Sequence, residues 1–204
     1  MGESFVDRLR SSVPPPTGGP FVSAADVAMS LQQISVIDRF PTDYIELVSL
    51  YGPGRFDGFI RVLLPSSSNP HIDIAAQLTT RLGALTQLSC DPKLPVSLPI
   101  SGAMGSSTEK IPYKITGPDP GIVPWAITEN GDTVYWVASP LDSPDEWTVA
   151  VNEARGPDWQ EFPMGASEFL YGVLSGTIAV RAFPADLPSA VPVFTAGLER
   201  CPPL

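Results

Sequence analysis

Histidine and cysteine are nearly missing from this chain. Its 204 residues hold one histidine, His71, and two cysteines, Cys90 and Cys201. A lone imidazole with no cysteine or glutamate cluster beside it argues against a His-dependent triad, a zincin helix or a His-rich metal centre. Two thiols this far apart make neither a disulfide framework nor a zinc site, so both read as incidental. Long apolar runs are missing too. None approaches the roughly 18 residues that a membrane span needs. The stretch MGESFVDRLRSSVPPP carries acids and no apolar core, unlike a secretory signal, and a cytoplasmic protein is the default expectation.

Basic residues are scarce. Lysine and arginine total 12 against 22 acids, a net charge of −10 and a pI near 4.4. Such a surface repels phosphate backbones, which disfavours direct nucleic-acid binding. It steers a basic partner inward instead. No phosphate-binding loop and no Gly-x-Ser-x-Gly nucleophile motif occurs.

What is present suits one soluble domain. Apolar residues make up 43% and mean hydropathy is +0.11, and the length allows one good core. Residues 1–20 include SSVPPPTGGP, whose prolines and glycines oppose regular structure, and are expected to form a flexible arm. A helix is expected from Ser23, with Asp26 completing a shortened capping box and Val27, Leu31, Ile34 and Ile37 at helical spacing. A second begins at Pro41-Thr42, carries a stripe of Tyr44, Leu47, Val48 and Tyr51, and stops at Gly52. PGRFDG reads as a tight turn into a strand, FIRVLLP. Residues 72–88 read as an amphipathic helix with Leu78, Leu82, Leu85 and Leu88 on one face. Residues 90–120 form a Pro/Gly/Ser-rich insertion longer than ordinary loops, with one short strand expected in EKIPYKI.

The last third is strand-rich. DEWTVAVNE alternates Trp147, Val149 and Val151 with Thr148, Ala150 and Asn152, the pattern of a half-buried strand. A turn at ARGP leads to DWQEFP. SEFLYGVLSG reads as a short helix with Phe169, Leu170, Val173 and Leu174 inward and Gly176 at its end. TIAVRAF is expected to be the final strand, and 184–204 a proline-broken tail.

The stretch PWAITENGDTVYWVA, residues 124–138, reads as a hairpin. Asn130-Gly131 is the preferred pair for a two-residue type I′ turn. That turn pairs Ile127 with Val134, Ala126 with Tyr135 and Trp125 with Trp136, apolar against apolar. Glu129 and Asp132 would then face each other at an exposed hairpin end. With no third ligand near in sequence, they suit partner contact better than acid–base or metal chemistry.

Taken in order, several of these segments resemble the SUKH superfamily, which contains yeast cell-wall-assembly regulators and many bacterial immunity proteins. The proline-led helix ends in Tyr51-Gly52. The glycine-led strand runs from Gly121 through Trp125 to a turn closing in Gly131-Asp132. A later short helix carries Glu168, Phe169 and Leu170. The resemblance spans about residues 25–182 and is poorest over 66–118. It implies a single α+β domain, 21–183, with a twisted mixed or antiparallel sheet and helices packed beside it. It implies no catalytic residue, metal or cofactor. It implies binding to a protein partner, most often a toxin such as a nuclease that the domain neutralises. A regulatory or scaffold module without a toxin partner is the alternative. On this reading Glu129, Asp132, Tyr135 and Glu168 are the candidate partner-binding residues.

Overall fold

Residues 5–13 place Val6, Leu9 and Val13 three and four positions apart, enough apolar spacing for one short helix face. The computed structural model describes residues 2–90, 113–115, 121–154 and 158–197. In it α1 runs Phe5–Ser12, capped by the Ser4 side chain on the Asp7 amide. Leu9 is 0% exposed and Val13 is buried beside it. The expected flexible arm is therefore corrected: its proline run begins only after a docked helix has ended.

The next elements follow their local signals closely. α2, Ala24–Ile34, has a full capping box between Ser23 and Asp26 and ends at Ser35 in the left-handed region, before Ile37. α3, Thr42–Tyr51, buries the whole expected stripe of Tyr44, Leu47, Val48 and Tyr51. Gly52, at φ 65°, ends it, a backbone setting that glycine tolerates best. PGRFDG is more than a turn, because β1, Gly54–Phe56, lies inside it and pairs with β2, Ile60–Val62. α4 spans Ile74–Cys90. Leu78 and Leu85 are buried, whereas Leu88 is exposed.

β3, Ile122–Thr128, and β4, Thr133–Val137, form the central hairpin. β5, Thr148–Asn152, follows a 3₁₀ turn at Pro144–Glu146, and β6, Trp159–Phe162, follows β5. α5 covers Ala166–Leu174 with the four expected apolar residues buried. TIAVRAF forms no strand; its Val180 and Phe183 are buried from an irregular segment. The closing strand is instead β7, Phe194–Ala196, inside the expected tail. It pairs antiparallel with β1, and the Phe194 ring packs edge-on against Tyr51 and tilted against Phe56. Of EKIPYKI only 113–115 are described, and they are not strand; residues 155–157 of the ARGP turn lie outside the described residues.

Among the described residues the strands make one open antiparallel sheet in the order β6-β5-β4-β3-β2-β1-β7. This is an α+β fold. One face of the sheet carries Val123, Trp125, Val134, Trp136, Val149 and Phe162, within the main core. α3 and α5 cover it: Tyr44 meets Trp136 edge-on at 4.8 Å, and Phe169 meets Trp125 at 6.1 Å. The other face buries Ile122, Tyr135, Ala150 and Trp159 beneath Leu85 of α4, with Tyr113 and Ile115 alongside.

The hairpin register departs from the expected one. Ala126 pairs with Val134 and Ile127 with Thr133, one residue away from the type I′ alignment. Only Gly131 in the loop has positive φ, 92°, so Asn130 does not take the type I′ conformation. The Gly131 amide donates to the Thr128 carbonyl, and the Thr128 amide to the Asp132 carbonyl. The loop thus holds three residues, a β-turn followed by glycine. Further along, the register shifts again between Pro124 and Ala126, leaving Trp125 as the extra residue of a β-bulge. The bulge keeps Trp125 and Trp136 on one face, 6.0 Å apart and stacked. The expected tryptophan pair exists, by a route different from simple cross-strand pairing.

Candidate functional site

Two of the four sequence-derived candidates prove to be buried. Asp132 is 2% exposed. Its carboxylate accepts from the Thr128 hydroxyl at 2.8 Å and from the Ala154 amide at 3.0 Å, while its own amide donates back to Thr128 Oγ1. The three-residue loop draws Asp132 in as the closing residue, where it ties the hairpin to the end of β5. Tyr135 is 1% exposed on the α4 side of the sheet, against Trp159. Burial pushes its phenol up to about 12. Neither is the exposed rim residue that the expected hairpin implied.

Glu129 is exposed but engaged. Its two carboxylate oxygens hold Arg61 at 2.7 Å and Arg55 at 3.2 Å, from β2 and β1. It is the anchor of a small ion-pair network. Glu168 stands elsewhere, in the first turn of α5, and borders a cleft of 340 Å³. The four candidates do not share a site: Glu168 alone lines this cleft.

The cleft opens where α3 and α5 begin. Its walls include Asp43, Glu46, Asp145 and Glu168, and its aromatic lining is Phe5, Trp136 and Trp147. Sequence reasoning passed over Phe5, Asp43, Glu46 and Asp145 as site residues. The local signals were two helix starts without a capping side chain. α3 has Pro41 at its N-cap and α5 has Gly165, and neither supplies a side-chain cap. A helix start leaves backbone N–H groups in need of acceptors. Here carboxylates from distant segments serve. Asp145 Oδ1 accepts from the Thr42 amide at 2.6 Å, and Asp43 Oδ2 accepts from the Ser167 amide at 2.8 Å. A Cβ at Gly165 would stand 3.2 Å from that Asp43 oxygen, so glycine lets α5 come close.

Asp145 also receives Arg39 Nη1 at 2.7 Å on its other oxygen, with both side chains about half exposed at 47% and 48%. The Thr42 amide above all, opposed by burial and aided by Arg39, holds the Asp145 carboxyl below its usual range. Glu46 and Glu168 have no polar side-chain partner among the described residues. Trp136 also belongs to the lining but is fully buried, and its indole N–H, like that of Trp125, has no acceptor among the described residues. Trp147, by contrast, donates its N–H to the Pro140 carbonyl at 2.6 Å.

The acids do not gather as a metal centre. Among the described residues no group of three or more His, Cys, Asp or Glu side chains is placed to hold a metal ion. Nor is any described helix long and apolar enough to cross a membrane. What the cleft offers is negative charge beside the partly exposed Phe5 ring, with Trp136 and Trp147 buried beneath. Comparison with protein-family models, with curated proteins and with solved structures gave no match.

Proposed function

We propose that this chain is a non-catalytic protein-binding domain of the SUKH type, acting as an immunity protein that neutralises a basic toxin by direct binding. The observation that carries the reading is the cleft between α3 and α5, with four acids around aromatic rings on a protein of net charge −10. Such a surface gathers a basic partner by long-range attraction and then holds it on a desolvated aromatic patch. The family reading is supported by where its motif residues fall. Tyr51-Gly52 closes α3, Gly131-Asp132 closes the β3–β4 loop, and Glu168-Phe169-Leu170 sits in α5.

The test is purification of a complex, followed by calorimetric titration of the two proteins at about 0.05 M and 0.5 M salt. The expected partner is basic, binds more weakly at high salt, and loses its toxic activity when bound. Affinity that does not fall with salt overturns the electrostatic reading. A partner that binds and keeps its own activity replaces immunity with a regulatory or scaffold role.

A further inference from the structure

The two edges of the sheet are finished differently. Along β6 lies the segment that follows α5. The Arg181 amide donates to Gln160 Oε1 at 2.9 Å, its guanidinium to the Trp159 carbonyl at 3.1 Å, and Gln160 Nε2 to the Ala179 carbonyl at 3.3 Å. Cover and charge of this kind keep an edge from recruiting another strand. β7, at the other end of the strand order, has neither among the described residues. Its register with β1 shows which groups are unused. The Asp57 amide reaches the Val193 carbonyl, and the Gly197 amide reaches the Pro53 carbonyl. Residues 193, 195 and 197 therefore bond toward β1. Antiparallel pairing alternates, which turns the N–H and C=O groups of Phe194 and Ala196 outward. Ser189 donates its amide and its hydroxyl to the Asp57 carboxylate, each at 2.6 Å, and so pins the approach to this edge. Val191 and Val193, 74% and 51% exposed, stand beside it. From Leu187 to Gly197 the chain carries no charge.

We propose that β7 pairs antiparallel with β7 of a second copy of this chain, joining the two sheets across a two-fold axis. The strand is its own complement. With Phe194 of one copy opposite Ala196 of the other, each residue gives its N–H to the other's carbonyl, and the axis repeats the exchange. Charge selects the occupant. Two chains of net charge −10 repel one another, so a self-interface needs a stretch free of charge, which residues 187–197 supply. A basic partner finds no acid on that stretch to hold it. The exposed valines leave water as the copies meet. The ladder is short, and the contact belongs with the small interfaces, below about 1,200 Å², that make weak complexes. A dimer with a Kd between about 1 μM and 1 mM is the scale to look for. This inference goes beyond toxin binding and does not depend on it.

The experiment follows the full 15N-labelled chain by sedimentation velocity and amide spectra from about 10 μM to about 1 mM, at about 0.05 M and 0.5 M salt. The sedimentation coefficient is expected to rise toward that of a dimer. The rise is greater at high salt, because repulsion between like chains is screened, the reverse of the trend for a basic partner. The Phe194 and Ala196 amide signals move with concentration, and that of Thr195, already bonded to β1, moves least. A196P removes an outward N–H and no bond to β1, and V193E adds a negative charge to each side of the contact. Each weakens association by roughly tenfold or more. V193E alters an exposed side chain and decides the matter should A196P fail to fold. A chain that stays monomeric throughout overturns the proposal. So does a dimer that V193E leaves intact, or one that leaves the Phe194 and Ala196 signals in place. Slow exchange of those two amides at every concentration also overturns it, since the edge is then covered within the monomer. If they move only when a basic partner is added, the edge belongs to that partner and the toxin-binding reading stands without the dimer.

Discussion

The Asp43 carboxylate accepts the Ser167 amide at 2.8 Å across 124 positions of sequence, so one helix's first turn caps the start of another. Removing that acceptor in D43A leaves an α5 N–H unsatisfied and takes negative charge from a helix N-terminus. The expected loss is about 1–2 kcal/mol in urea unfolding. D43N keeps an oxygen acceptor without the charge and loses less. If D43A unfolds with the native midpoint and slope, the contact contributes nothing to stability.

Asp145 sets a pH dependence. Its folded carboxyl lies below the ordinary value of 3.8, chiefly because of the Thr42 amide. A lowered folded pKa means that its contribution is fully present above the unfolded value. It is lost as pH falls through the folded one. Stability measured from pH 7 downward should therefore show the native chain ahead of D145N at neutral pH, with the gap closing below about pH 4. A gap that stays constant into strong acid contradicts this assignment.

The hairpin acids should part company on mutation. D132A strands the Thr128 hydroxyl and the Ala154 amide, at an expected cost of about 1–3 kcal/mol. E129Q keeps an oxygen acceptor for the mostly buried Arg61 and weakens the more open contact with Arg55, and should stay within about 1 kcal/mol of native. Equilibrium denaturation of both variants decides the matter. Equal losses would return Asp132 to the exposed rim.

Elements that depend on neighbours in sequence were legible, and those that depend on distant partners were not. α3 could be read because its proline start, four-residue stripe and Gly52 stop lie within twelve positions. The Val149, Val151 pattern of β5 was equally local, but the expected half-buried strand is buried on both faces, with Ala150 packed on the α4 side and Trp147 lying before the strand. The hairpin was recognisable from Asn130-Gly131. Its register was set by Asp132 reaching the Ala154 amide and by the bulge at Trp125, neither of which turn chemistry encodes. β7 was hidden because VPVFTAG looks like tail until β1 provides an edge for it. Most of the cleft was hidden for the same reason. Asp43 and Asp145 look like ordinary surface acids until Ser167 and Thr42 arrive beside them.

Tyr51 touches two segments from opposite ends of the fold. Its hydroxyl donates to the Val13 carbonyl at 2.6 Å, and its ring meets Phe194 at 5.1 Å. Segments far apart in the chain therefore close on a single side chain, as a belt closes on its buckle. A cut that frees either segment slackens the hold on the other. Hydrogen exchange in α1 should accelerate when β7 is clipped away, although no backbone hydrogen bond joins the two.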